Sequence, residues 1–172
     1  MAISLYDTSV ATYLQILGST ANILEKGAVY AAENGIGLPG IVASRLRDDM
    51  NPFHFQVVSV WHHSLGAIRG AREGIFTPPP SLDLDYAGLQ GLVAEASKEL
   101  GALTEQEVND MAGNAMKFKA GDFEVPFTVE DFILSFSLPN FYFHATTTYD
   151  MLRMQGVPLG KMDFLGALRI AS

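Results

Sequence analysis

Apolar side chains recur at a helical period through Thr128 to Gly166, TVEDFILSFSLPNFYFHATTTYDMLRMQGVPLGKMDFLG. Phe132, Phe136, Phe143 and Met151 set the stripe, and Ile133, Leu138, Phe141, Leu152 and Met154 widen it. So broad an apolar face predicts a central helix rather than a peripheral one. Thr128 and Asp131 have the spacing of a capping box at its start. Gly156 followed by Pro158 marks its end. Pro139 interrupts the pattern: it lacks an amide donor and crowds the preceding turn, so a kink or break is expected near Leu138, with a carbonyl left unpaired near Ser135.

The remaining chain follows the same logic. Asp7 to Asn34 is amphipathic, with Val10, Tyr13, Leu14, Leu17, Ile23 and Leu24 at helical spacing and Gly35 as the stop. A glycine-proline connector, Gly35 to Gly40, leads to a short helical turn over Ile41 to Leu46. Asn51 and Pro52 read as N-cap and first helical residue of a second long helix running to Gly74. The segment FTPPPSLDLD cannot be helical through three consecutive prolines. A third helix spans Tyr86 to Leu103, and Thr104 with Glu107 caps a shorter one. Lys117 to Phe127 alternates around Ala-Gly-Asp, the signal of a small hairpin. Four long helices in one domain, residues 1–172, predict an all-α four-helix bundle with long crossover loops and a β-hairpin before the last helix.

Composition narrows the chemistry. The 172 residues carry 11 Lys and Arg against 19 Asp and Glu, a net charge of -8. Without a basic run, such a chain repels phosphate, so no nucleic-acid partner is expected. There is no cysteine, which removes thiolate nucleophiles and zinc-thiolate sites. The amino terminus lacks the pattern of a secretory signal, and no apolar run reaches membrane-spanning length. A cytoplasmic protein with no membrane partner is the expectation. No phosphate-binding glycine loop occurs, and Ser59 and Ser64 have no nucleophile-elbow context.

The candidate chemistry lies on the last helix. Asn140, His144 and Thr148 stand four residues apart on one face. A pocket beside His144, opened by the kink, is expected to take a small apolar molecule. The expected catalytic residues are His144 as general base, Asp49 to orient its ring, and His54. The expected ligand-binding residues are Asn140, Tyr142, Thr148 and Tyr149 from the last helix and Gln56, Trp61 and His62 from the second. At ~100° per residue, His54 and His62 differ by roughly 80°, while His54 and His63 fall on opposite sides. A three-ligand site from His54, His62 and His144 is geometrically possible but not prefigured by any tight spacing, and of His62 and His63 beside Trp61, one is expected to be partly buried and the other solvated. Neither a metal nor another cofactor is expected.

The segments PNFYFHATTTYDMLRMQGVPLGKMDFLG, SLYDTSVATYL and RLRDDMNPFHFQV resemble a branch of the DinB/YfiT-like four-helix-bundle superfamily known only as a domain of unknown function. The resemblance extends over essentially the whole chain and implies the bundle fold, often as a homodimer. The superfamily's metal-dependent members, thiol-dependent transferases and isomerases, place one histidine on the second helix and an H-x-x-x-H pair on the last. Here Thr148 stands four residues after His144 and Asn140 four before, so the pair is missing. Bacterial and fungal members of this branch occur, some beside secondary-metabolite pathways. Three functions follow: a cofactor-independent proton-transfer enzyme (isomerase, cyclase or dehydratase), a metal- or thiol-dependent transferase, or a binding or scaffold protein that does no chemistry.

Overall fold

In the computed structural model, residues 3–170 are described. The helices are α1 (Leu5–Thr8), α2 (Val10–Glu33), α3 (Leu38–Ala43), α4 (Phe53–Trp61), α5 (Ala67–Glu73), α6 (Tyr86–Gly101), α7 (Glu105–Asn109), α8 (Val129–Phe132), α9 (Leu138–Met154) and α10 (Lys161–Leu165). Two π-helical turns join pairs of them: His62–Gly66 links α4 to α5, and Ile133–Ser137 links α8 to α9. The second and last long helices are thus each continuous but carry a widened turn. The expected first helix divides at Ser9, whose backbone is non-helical at φ -107, ψ -85.

Packing closes the four long elements into a ring. α2 lies against α6, α6 against α4, α4 against α9, and α9 against α2. Tyr13, Phe53, Tyr86, Phe132 and Phe141 are fully buried at the centre, each contributing about 1.5–3 kcal/mol by burial. Phe53 and Tyr86 stack at 5.9 Å, and Tyr13 meets the edge of Phe141 at 4.9 Å. This is the expected four-helix bundle.

The caps follow the sequence in most places. Thr104 and Glu107 form a reciprocal capping box. Thr128 accepts from the Asp131 amide at 3.2 Å, one half of the expected box. The second helix starts one residue late: Pro52 is its cap and Phe53 its first residue. The Asn51 carbonyl, freed from that role, accepts from the Gln56 side chain. The short helix after the connector runs Leu38–Ala43, three residues before its expected place.

The expected hairpin is present as β2 (Ala115–Ala120) and β3 (Phe123–Thr128), paired antiparallel. Its turn uses Gly121 at φ +60, a conformation that suits glycine. A two-residue strand, β1 (Ile75–Phe76), adds a parallel edge, with Ile75 opposite Lys117 and Phe76 opposite Phe118. That edge directs the Phe76 ring into the bundle, 5.0 Å from Phe132 and 4.3 Å from His62.

Candidate functional site

The two π-turns meet. Each closes i→i+5 hydrogen bonds and so inserts a residue relative to an α-turn, a defect that frequently marks a functional site. Ser137, at the end of one, donates from its hydroxyl to the His63 carbonyl of the other at 2.6 Å. That donation uses the only hydroxyl proton of Ser137, so Tyr13, 2.8 Å away, donates to Ser137 in turn. The chain Tyr13→Ser137→His63 carbonyl ties three helices at a buried point. Within the last helix, the Asn140 amide donates to the Phe136 carbonyl at 2.7 Å and the Ser135 hydroxyl to the Asp131 carbonyl. The disruption expected near Pro139 is therefore a π-turn ahead of it, with its carbonyls answered by nearby side chains.

The widened turn also revises the histidine geometry. His62 and His63 are both buried, 7% and 8% exposed, where one was expected in solvent. The angular step of a uniform α-helix ends at Trp61, so the two rings find separate cover. His62 lies under Phe76 and donates from Nε2 to the Thr77 carbonyl at 2.7 Å. His63 stacks on His144 with centroids 5.9 Å apart and planes 13° apart, and it also meets Phe136 at 5.8 Å. Its Nδ1 is buried with no hydrogen-bond partner among the described residues.

His144 is 9% exposed and is oriented by an amide. Gln56 Nε2 donates to the Asn51 carbonyl at 3.0 Å, which turns Gln56 Oε1 toward the ring. His144 Nδ1 lies 2.8 Å from that oxygen and must be the donor. Its Nε2 is left with the lone pair. Phe55 at 5.8 Å and Phe143 at 5.2 Å flank the ring by their edges.

Electrostatics keep both imidazoles neutral. Burial, and then the neighbouring His62 and His144, lower the His63 pKa to about 3. Burial lowers that of His144 to about 4, with no charged side chain acting on it. Burial lowers His62 as well, partly offset by its bond to Thr77. Tyr13 is raised by burial, so it stays a phenol and a donor.

The other expected residues separate from this junction. Asp49 is exposed on the turn before α4, and the His144 Nδ1 partner is Gln56 instead. His54 and Trp61 sit on α4, with His54 Nε2 and Trp61 Nε1 buried and without a hydrogen-bond partner among the described residues. Thr148 donates to the His144 carbonyl at 2.9 Å, a bond within its own helix. Tyr149 turns to the chain end, with its hydroxyl 3.4 Å from the Leu159 carbonyl and its ring 6.1 Å from Phe164. Tyr142 lines a different cleft, of about 460 Å³, with Leu134, Leu138 and Arg169. Another cleft, of about 480 Å³, lies between α3 and the start of α6 and holds none of the expected residues.

Sequence reasoning passed over His63 as a site residue, together with Ser137 and Tyr13. The adjacent pair His62-His63 was the visible signal, but only the π-turn brings its second member to His144.

The same atoms bear on metal ligation. His144 Nε2 and the unpaired His63 Nδ1 are two donors, His62 Nε2 is committed to Thr77, and the Thr148 hydroxyl is bonded within the helix. Among the described residues no group of three or more His, Asp or Glu is placed to hold a metal ion. The donor set does not fit the three-histidine site of the metal-dependent superfamily members.

Comparison with known proteins gives the fold and family. The structure is similar to the crystal structure of a DinB family member protein from Shewanella denitrificans, with a TM-score of 0.80. At 24% identity over 98% of this chain and 95% of that one, the likeness is of fold. No curated protein matches the sequence. No helix among the described residues is long and apolar enough to cross a membrane. Residues 5–165 match the family described as a domain of unknown function, DUF1993, and the chain therefore belongs to that family.

Proposed function

We propose that this protein takes up a small apolar molecule at the His63–His144 junction and acts on it by proton transfer through His144 Nε2. One observation carries the reading: the Asn51–Gln56–His144 chain fixes the Nδ1–H tautomer and leaves a lone pair on Nε2. A ring held in one tautomer by a second group is the usual arrangement of a histidine base. The reaction class is isomerisation, cyclisation or dehydration, each of which moves a proton without a cofactor. His144 and Gln56 do the work in this reading, with His63 as the neighbouring ring. His54 and Asp49 take no part in it. Secondary metabolism is the setting that the family resemblance suggests.

Binding without chemistry is the second reading. A His144 pKa near 4 makes its lone pair a good hydrogen-bond acceptor but a weak base. The comparison of His144→Phe with wild type tests both. Folding is expected to survive within about 3 kcal/mol, because one unpaired Gln56 oxygen is the main cost, while binding or turnover of co-purified ligands is lost. A variant that keeps full ligand capture removes His144 from the site.

A homodimer belongs to the same proposal. The exposed Val29 on α2 and Met154 on α9 support a covered helical face, and light scattering at micromolar concentration tests it, a clean monomer counting against. A chain without cysteine accords with a cytoplasmic location.

A further inference from the structure

We propose, resting on the reading of the His63–His144 junction as a ligand site, that its ligand is a neutral hydroxylated aromatic molecule of the phenol or naphthol class. Three properties of the junction select that chemistry. The first is the surface itself. Phe118 lies 5.1 Å from Phe136, Phe136 5.8 Å from His63, His63 5.9 Å from His144, and His144 5.2 Å from Phe143. This row of rings ends on Phe143, which is 56% exposed. Rings prefer offset or edge-to-face contact with other rings, so an open end of such a row selects an aromatic guest over an aliphatic one.

Charge is the second property. Among the described residues the side-chain partner of His144 is the neutral Gln56, and the lysines of the hairpin, Lys117 and Lys119, are both paired with Glu124. An anionic guest would meet the Nε2 lone pair with no cation to offset it. An ammonium guest would lose its hydration with no carboxylate in return. Only a neutral molecule enters without that cost.

The third is hydrogen-bond polarity. Gln56 cannot rotate to offer its amide to His144 without abandoning the Asn51 carbonyl, so the ring stays a donor at Nδ1 and an acceptor at Nε2. The guest must therefore supply a proton, as a phenolic hydroxyl does. The buried, unpaired Nδ1 of His63 beside it adds a second lone pair or donor to the same junction.

The test uses the whole chain with histidine rings labelled with ¹⁵N and four probes of one size: 1-naphthol, 1-naphthoate, (1-naphthyl)methylammonium and decahydro-1-naphthol. Fluorescence of Trp61, the only tryptophan, reports affinity in parallel. The expected result is that 1-naphthol alone shifts the His144 and His63 resonances. Its affinity should fall about tenfold in His144→Phe, which keeps a ring and removes the acceptor, and severalfold in the surface variant Phe143→Ala. Equal or tighter binding of the charged probes or the saturated alcohol, with those resonances moving, overturns the ligand class while leaving the junction as a small-molecule site. Naphthol binding that is unchanged in both variants overturns the placement. If none of the four moves the two histidines, the class is again overturned, and the proton-transfer reading stands or falls on its own test with co-purified ligands.

Discussion

The two π-turns are the same backbone defect, and they differ in how far their repair reaches. In Ile133–Ser137 the freed carbonyls are answered from within the last helix, by Ser135 onto Asp131 and Asn140 onto Phe136. In His62–Gly66 the Ser64 hydroxyl likewise answers the Val60 carbonyl of its own helix, but the buried carbonyl of His63 takes its hydroxyl from another helix, from Ser137 with Tyr13 behind. Local repair makes the Ile133–Ser137 turn a packing device, its Phe136 surrounded by Phe118, Phe127 and Phe132. Repair from a distance makes the His62–Gly66 turn a positioning device, because the ring of His63 stays on His144 only while three helices agree. A defect that folds by itself can be structural; one that needs the whole bundle can report on it.

Acid should separate the two turns most strongly. The folded pKa values of His63 and His144, about 3 and about 4, lie below the unfolded value of 6.5. Between those values the unfolded chain binds more protons, so their contribution to stability is complete above pH 6.5 and is lost as pH falls toward 4 and then 3. His144 alone accounts for roughly 3 kcal/mol of that loss at 1.36 kcal/mol per unit. Urea unfolding measured from pH 7 to pH 4 should show the decline, and the double variant His63→Phe, His144→Phe should flatten it. An unchanged slope in the double variant would remove the pair from the account.

Next in size is Ser137→Ala. It leaves the Tyr13 hydroxyl and the His63 carbonyl buried and unpaired, at a cost of roughly 2–4 kcal/mol. Ser137→Thr, which keeps the hydroxyl, should recover part of it. Denaturant midpoints check this, and a loss below 1 kcal/mol would show the cross-helix bond to be incidental.

Gln56→Met comes third. It keeps volume and removes the acceptor of the His144 Nδ1 proton, so stability should fall by roughly 1–2 kcal/mol. Asn140→Ala should be the mildest, under about 1 kcal/mol, since a half-buried carbonyl on a local turn can be reached by water. If it proved as costly as Ser137→Ala, the contrast between the turns would collapse.

These differences track what the sequence could reveal. A disruption near Pro139 was legible because proline acts on its own helix, but its form, a π-turn over Ile133–Ser137, was not. The hairpin and the Thr104–Glu107 box were legible for the same reason: their partners are neighbours in the chain. The first π-turn carries no proline, and Gly66 alone is no signal. The two-residue β1 pairs with residues some forty positions later, at Lys117 and Phe118, so no local pattern could place Phe76 beside His62. In the candidate site, His144 stood out as a lone histidine among aromatics, and Gln56 fell in the right stretch of the second helix. Asp49 was favoured as its partner because a carboxylate orients imidazole well, yet it lies on the exposed turn before the helix begins. His63 was read on a uniform helical wheel, which the π-turn invalidates.

The central claim is the state of His144, a neutral ring with its proton on Nδ1 and a lone pair on Nε2. Ring ¹⁵N chemical shifts at pH 7 read it directly. The account predicts a protonated Nδ1 coupled to Gln56 and an unprotonated Nε2, unchanged down to pH 5 and redistributed between the two tautomers in Gln56→Met. A ring protonated on Nε2, or one that becomes cationic between pH 7 and pH 6, would contradict it.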